Sequence, residues 1–79
     1  MYIVYTLRSL QDGNLYVGCT SNLEKRLEAH QKGRVTSTRH RLPMELLYKE
    51  EYQDKYEAFK VERFYKTAKG KRVLKSKIP

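Results

Sequence analysis

Asp12-Gly13-Asn14 separates two apolar runs, residues 2–8 (YIVYTLR) and residues 15–17 (LYV), and this arrangement limits the possible folds more than any other feature. β-branched and aromatic residues on both sides of a tight Asp-Gly-Asn turn predict a β-hairpin at the start of the chain. The hairpin places Tyr5 and Tyr16 on neighbouring strands. Thr20, Ser21 and Asn22 then offer N-caps, and LEKRLEAHQK runs on without a breaker, which predicts a helix to about Lys32 that stops at Gly33. Residues 33–43, GRVTSTRHRLP, read as a polar, basic loop closed by Pro43, and residues 44–52 as a third strand. Asp54 and Glu57 have the spacing of a capping box for a second helix, expected to run to about Ala68 and to end at Gly70. The order is β-β-α-β-α with a basic end, the remainder KRVLKSKIP being either another helical turn or a frayed tail.

That order answers a question raised by the tetrapeptide Leu15-Tyr16-Val17-Gly18, which looks like the first strand motif of an RNA-recognition module. Such a module runs β-α-β-β-α-β, with a second aromatic-rich strand motif about thirty residues later. Here a complete strand precedes the tetrapeptide and the second motif is missing, so stacking of bases on that strand is excluded.

With 79 residues the chain suits one domain, residues 1–79, with a basic tail from about residue 69. A core this small leaves no room for a large enclosed pocket, so a small-molecule cofactor is not expected and an open groove is. The formal net charge is +8, from 17 Lys and Arg against 9 Asp and Glu. All the acids lie at or before Glu62, and beyond it stand only cations, from Arg63 through Lys77. Such a tail favours a polyanionic partner, since displacing counterions from phosphates drives binding. A lone cysteine, Cys19, excludes an internal disulfide and a cysteine metal site. No apolar run is long enough for a signal peptide or a membrane span, so a cytoplasmic location in contact with nucleic acid is expected.

Helical periodicity isolates three polar groups on apolar faces. On the first predicted helix Leu23, Leu27 and His30 share an arc, with Arg26 at its edge one turn before His30. On the second, Glu62 falls among Ala58, Val61, Tyr65 and Ala68. A carboxylate facing inward is costly unless it is paired or binds a cation, and a salt bridge between Arg26 and Glu62 would satisfy it equally well.

The ordered set resembles the GIY-YIG nuclease domain. Ile3-Val4-Tyr5 stands for the first motif and Tyr16-Val17-Gly18 for the second. Arg26 follows on the helix, and residues 41–48 (RLPMELLY) with Glu57-Ala58 and Glu62 resemble the small stand-alone bacterial branch, the UPF0213-like proteins. The resemblance spans nearly the whole chain. It implies an α+β fold, a small three-stranded antiparallel sheet flanked by helices. It also implies metal-dependent hydrolysis of nucleic-acid phosphodiesters, DNA in the first place, as in homing endonucleases and an excision-repair nuclease. Position by position, Tyr5, Tyr16, Arg26, His30 and Glu62 match the catalytic residues, Gly18 the motif glycine, and Glu62 the ligand of a divalent Mg2+ or Mn2+. Two departures stand out: Ile3 replaces the first motif glycine, and no bracing asparagine follows the second helix.

The residue types suit the chemistry. Arg26 offers a permanently charged planar fork to a phosphate. Tyr5 would take a proton from the attacking water, directly or through a relay, which calls for a phenol pKa below the ordinary value of about 10. Tyr16 would orient water or phosphate, and His30 would support Tyr5 or Arg26. Phosphate contacts are expected from Arg34, Arg39, Arg41, Lys66, Lys69, Lys71 and Arg72, or target choice from a protein partner. Two other readings compete: a binding module that keeps the fold without cutting, and a salt-bridged domain that binds ribosomal RNA through its charge.

Overall fold

The structure, a computed structural model describing residues 1–78, contains three strands and three helices in the order β1 (Tyr2–Ser9), β2 (Leu15–Thr20), α1 (Leu23–Gln31), β3 (Met44–Tyr52), α2 (Lys55–Tyr65) and α3 (Ala68–Lys77), with a single 3-10 turn at Arg39–Arg41. The sheet is antiparallel with order β2-β1-β3, so β2 and β3 are its edges. It is the expected three-stranded α+β architecture with one helix more.

Alternation along the strands divides the interior into two halves. Tyr5 and Leu7 of β1 pack with Met44 and, at the margins, Ile3, Tyr16, Leu23, Leu27 and Leu42, which seats α1 on one face. Val4 of β1 and Val17 of β2 pack with Ala58, Tyr65 and Leu74, which seats α2 and α3 on the other. β1 is covered on both sides, and Val4 through Leu7 are accordingly all buried instead of alternating.

Local chemistry fixes the connections. Gly13 adopts φ 75°, the left-handed region that a glycine enters freely, and Asp12 accepts from the Asn14 amide at 2.9 Å to close the hairpin turn. Asn22 caps α1 through the Lys25 amide at 3.1 Å, and Gly33 ends that helix with φ 72°. Asp54 caps α2 through the Tyr56 amide at 3.2 Å.

The C-terminal expectations need correcting. The second helix stops at Tyr65, and Gly70 lies inside a new helix instead of ending the old one. Thr67 causes the break: its hydroxyl oxygen accepts from the Gly70 amide at 2.9 Å and so caps α3. Gly70 is needed for close approach, because a Cβ there would overlap the Phe64 carbonyl. The basic end is therefore a packed helix with Leu74 fully buried beneath it.

Candidate active site

Tyr5 lies at the centre of β1, opposite Gly18 of β2. Its ring passes over the β2 backbone, and a Cβ on Gly18 would overlap the phenol oxygen and Cζ. The motif glycine thus makes room for Tyr5, which is wholly buried. At the end of that ring three groups meet. The phenol oxygen lies 3.0 Å from His30 Nε2, and Arg26 Nε donates to it at 3.3 Å. Arg26 and His30 reach it together because they sit one turn apart on α1. Tyr16 closes the group, its ring centroid 6.4 Å from that of Tyr5 and 5.3 Å from that of His30, packed edge-on to the imidazole.

Behind His30 stands a residue the sequence reading did not single out. Thr38 is fully buried, and its Oγ1 lies 2.8 Å from His30 Nδ1 and 3.5 Å from the Val35 carbonyl. A carbonyl only accepts, so the Thr38 hydroxyl donates to it and accepts from Nδ1–H. The Nε2 lone pair is then left for the Tyr5 hydroxyl. Thr38 lies in an aperiodic loop, where no hydrophobic pattern marks a buried residue.

Electrostatics set the state of each group. Burial pushes the Tyr5 phenol above its ordinary value, and the Arg26 hydrogen bond only partly opposes it. The lowered phenol that the sequence chemistry called for is therefore not produced by the protein's own groups. Burial, helped by the Arg26 charge, pulls His30 below its ordinary value and keeps the ring neutral. The hydrogen bond to Tyr5 holds the Arg26 guanidinium further up, with the Tyr16 phenol adding to it.

Glu62 stands apart. It is half-buried on α2 and pairs with Lys66 at 3.3 Å, one turn on, and not with Arg26, which turns to the phenols. Burial raises the Cys19 thiol, and the Glu62 charge adds to that rise and, through space, to the rise of the Tyr5 phenol. Arg26 and Glu62 thus flank the β2 edge from opposite faces of the sheet and open onto separate surface depressions. No group of three metal-ligating side chains occurs among the described residues.

The expected phosphate contacts separate into two sets. Arg34 and Arg39 are exposed on the segment after α1, but Arg41 is engaged, its guanidinium 3.7 Å from Asp12 and 3.5 Å from the Leu15 carbonyl, where it ties the loop to the hairpin. Lys66, Lys69, Lys71 and Arg72 are all exposed, from the end of α2 into α3.

The model of the GIY-YIG catalytic domain matches residues 1–76. The chain belongs to the GIY-YIG family. It is 46% identical over 59 residues to a UPF0213 protein of Bacillus licheniformis, covering 73% of this chain and 61% of that protein. It is 43% identical over 56 residues to a UPF0213 protein of Streptococcus agalactiae and 45% identical over 56 residues to one of Streptococcus sanguinis, in both cases covering 70% of this chain and 64% of the relative. The chain therefore spans less than two thirds of the length of these curated relatives. No solved structure matches it. GIY-YIG is a nuclease family, and its nuclease domains generally use a divalent metal. None of the described helices is long and apolar enough to cross a membrane.

Proposed function

We propose that this chain hydrolyses nucleic-acid phosphodiesters, DNA foremost, in the cytoplasm and with Mg2+ or Mn2+ held at Glu62. The observation that carries the reading is the Tyr5 oxygen itself, which has Arg26 donating to it on one side and a neutral imidazole nitrogen 3.0 Å away on the other.

The donor chemistry at Glu62 fits a hard cation of this kind. Mg2+ is commonly held by one or two carboxylates, with water and phosphate oxygens completing the shell. Glu62 offers one carboxylate whose only ion-pair partner among the described residues is the exposed side chain of Lys66, an easily displaced cation. When bound, the metal supplies positive charge to the non-bridging and leaving oxygens of the phosphate.

The rest falls to the chain's own residues. Arg26 engages the phosphate with a fork that a point charge cannot imitate. With Arg26 turned from the buried phenol to the phosphate, the water reaches the Tyr5 oxygen. As the water oxygen bonds to phosphorus, its proton passes to that phenol oxygen and the Tyr5 proton passes to His30 Nε2, while the P–O bond to the leaving oxygen breaks. Because Tyr5 stays a phenol at neutral pH, a relay suits it better than direct attack on the water's proton by phenolate. Because His30 is a weak base in this setting, it returns the proton through Tyr5 to the leaving oxygen or to solvent. Thr38 holds the imidazole in the tautomer this requires, and Tyr16 borders the path.

The competing reading, a binding module that does not cut, draws on the distance of Glu62 from the phenols and on the raised phenol. One experiment separates them. Glu62→Ala is expected to lower metal-dependent cutting of labelled DNA by about 1,000-fold, the equivalent of about 4 kcal/mol, while leaving affinity within a factor of about 3. Arg26→Lys should also impair cutting despite keeping its charge. Equal behaviour of wild type and Glu62→Ala on duplex, branched and single-stranded DNA would hand the case to the binding module.

A further inference from the structure

The β2 edge does not stop at the candidate site. Toward the hairpin turn it borders a depression lined by Gly13, Asn14, Leu15, Lys71 and Lys75. Next along the strand lies a second, whose walls include Leu15, Tyr16, Val17, Lys66 and Lys71. The two share Leu15 and Lys71, so they adjoin as one groove along β2 that takes in Tyr16, whose ring centroid lies 6.4 Å from that of Tyr5. Every charged residue lining it is a lysine.

The lysines of α3 are sorted by the helix. Lys71 and Lys75 are four residues apart, so they stand on one face about 6 Å apart along the axis. Lys69 and Arg72 belong to the same helix and line neither depression. Lys77 is committed elsewhere, to Glu50 at 3.1 Å and the Tyr65 hydroxyl at 2.8 Å. The direction of the face is fixed by packing: Leu74 is buried on the flank next to Lys71, and Gly70 presses against the end of α2.

We propose that this groove between β2 and α3 is the track for the nucleic-acid backbone on one side of the phosphate that meets Tyr5, gripped by Lys71 and Lys75 with Lys66 nearest the site. The inference rests on the hydrolytic reading for where the track leads. It narrows the phosphate contacts to one face of α3 and adds Lys75 to them. The groove is open along its length, and its lysines are point charges without a base-reading fork, so it takes backbone of any sequence.

The test compares two double variants that each remove two charges from the same helix, Lys71→Gln/Lys75→Gln and Lys69→Gln/Arg72→Gln. All four side chains are exposed, and circular dichroism checks that both proteins remain folded. Binding to a fluorescein-labelled DNA of about 20 nucleotides, as single strand and as duplex, is followed from about 50 to 200 mM salt in EDTA, where each lost phosphate contact reduces the logarithmic salt slope by about 0.7 or 0.9 respectively. The groove variant should lose about 1.4 units of slope on the single strand and about 1.8 on the duplex, and bind at least roughly ten-fold more weakly at about 100 mM salt, the other variant less than half as much on either scale. Equal losses in the two variants, or an unchanged slope in the groove variant, overturn the track. Without metal no cutting occurs, so these slopes are independent of hydrolysis. A protein that cuts but shows equal slopes loses the track alone, and one that shows the slope difference but never cuts loses the hydrolytic reading alone.

Discussion

Two clusters of tyrosine occupy opposite faces of the same sheet, and they are wired in opposite senses. On the α2/α3 face Glu50 gathers three phenols and an ammonium: Tyr65 at 2.6 Å, Tyr48 at 2.9 Å, Tyr52 at 3.2 Å and Lys77 at 3.1 Å. Each hydroxyl there donates a hydrogen bond to a carboxylate that is already a poor base. Burial and the Glu50 charge push Tyr52 up to about 12. Burial would raise Glu50, but its bonds to Tyr65, Lys77 and Tyr48 prevail and lower it. The cluster is electrically closed, and it pins the end of α3 to β3. On the α1 face the Tyr5 oxygen accepts from a cation and borders a neutral imidazole with a free lone pair. A proton arriving there has somewhere to go. The residue type is the same on both faces, and the partners decide between a closed lock and the open arrangement that the proposed relay needs.

The largest expected effect breaks that contrast at the oxygen. Tyr5→Phe should reduce cutting by about 100- to 10,000-fold, the range of a lost general acid–base group, with cutting rate and thermal melting measured on the same preparation. Tyr52→Phe, which removes a hydroxyl from the other cluster, should leave cutting unchanged. Comparable losses in the two would show that the clusters are not functionally distinct.

A smaller effect sharpens the geometry. Gly18→Ala places a methyl against the Tyr5 phenol and should cost about 1–3 kcal/mol in stability, read by urea denaturation. Cutting should fall with it, because the displaced ring loses His30 and Arg26. An unchanged stability would mean that Tyr5 does not cross β2 as described.

The smallest concerns the lock. Glu50→Gln should cost about 2 kcal/mol from weakened charge-assisted hydrogen bonds while cutting persists. The pH dependence follows from the lowered carboxylate: the deficit is full above the ordinary value near 4.5 and closes as pH falls through the lower folded value. A deficit that grew in acid would contradict the assignment.

Much of the hairpin side was legible in the sequence. Asp12-Gly13-Asn14 set the turn, the turn set which residues of β1 and β2 oppose one another, and the four-residue spacing of Arg26 and His30 brought both to the Tyr5 oxygen. Three features were not legible. Gly70 read as a stop because glycine usually ends helices, whereas Thr67 had already made the break and glycine was required by contact with Phe64. Thr38 was invisible because burial in an irregular loop leaves no period. The raised phenol went unforeseen because charges can be counted along a sequence, while desolvation depends on the packing around Tyr5.

Hydrolysis by this chain depends most on a cation settling at Glu62. Mn2+ titrated into isotope-labelled protein broadens the amide signals nearest to it. Broadening centred on Glu62, Cys19 and Gly18, and lost in Glu62→Ala, is the predicted result. Broadening centred instead on the exposed acids of α1, Glu24 and Glu28, with Glu62 unaffected, would contradict it.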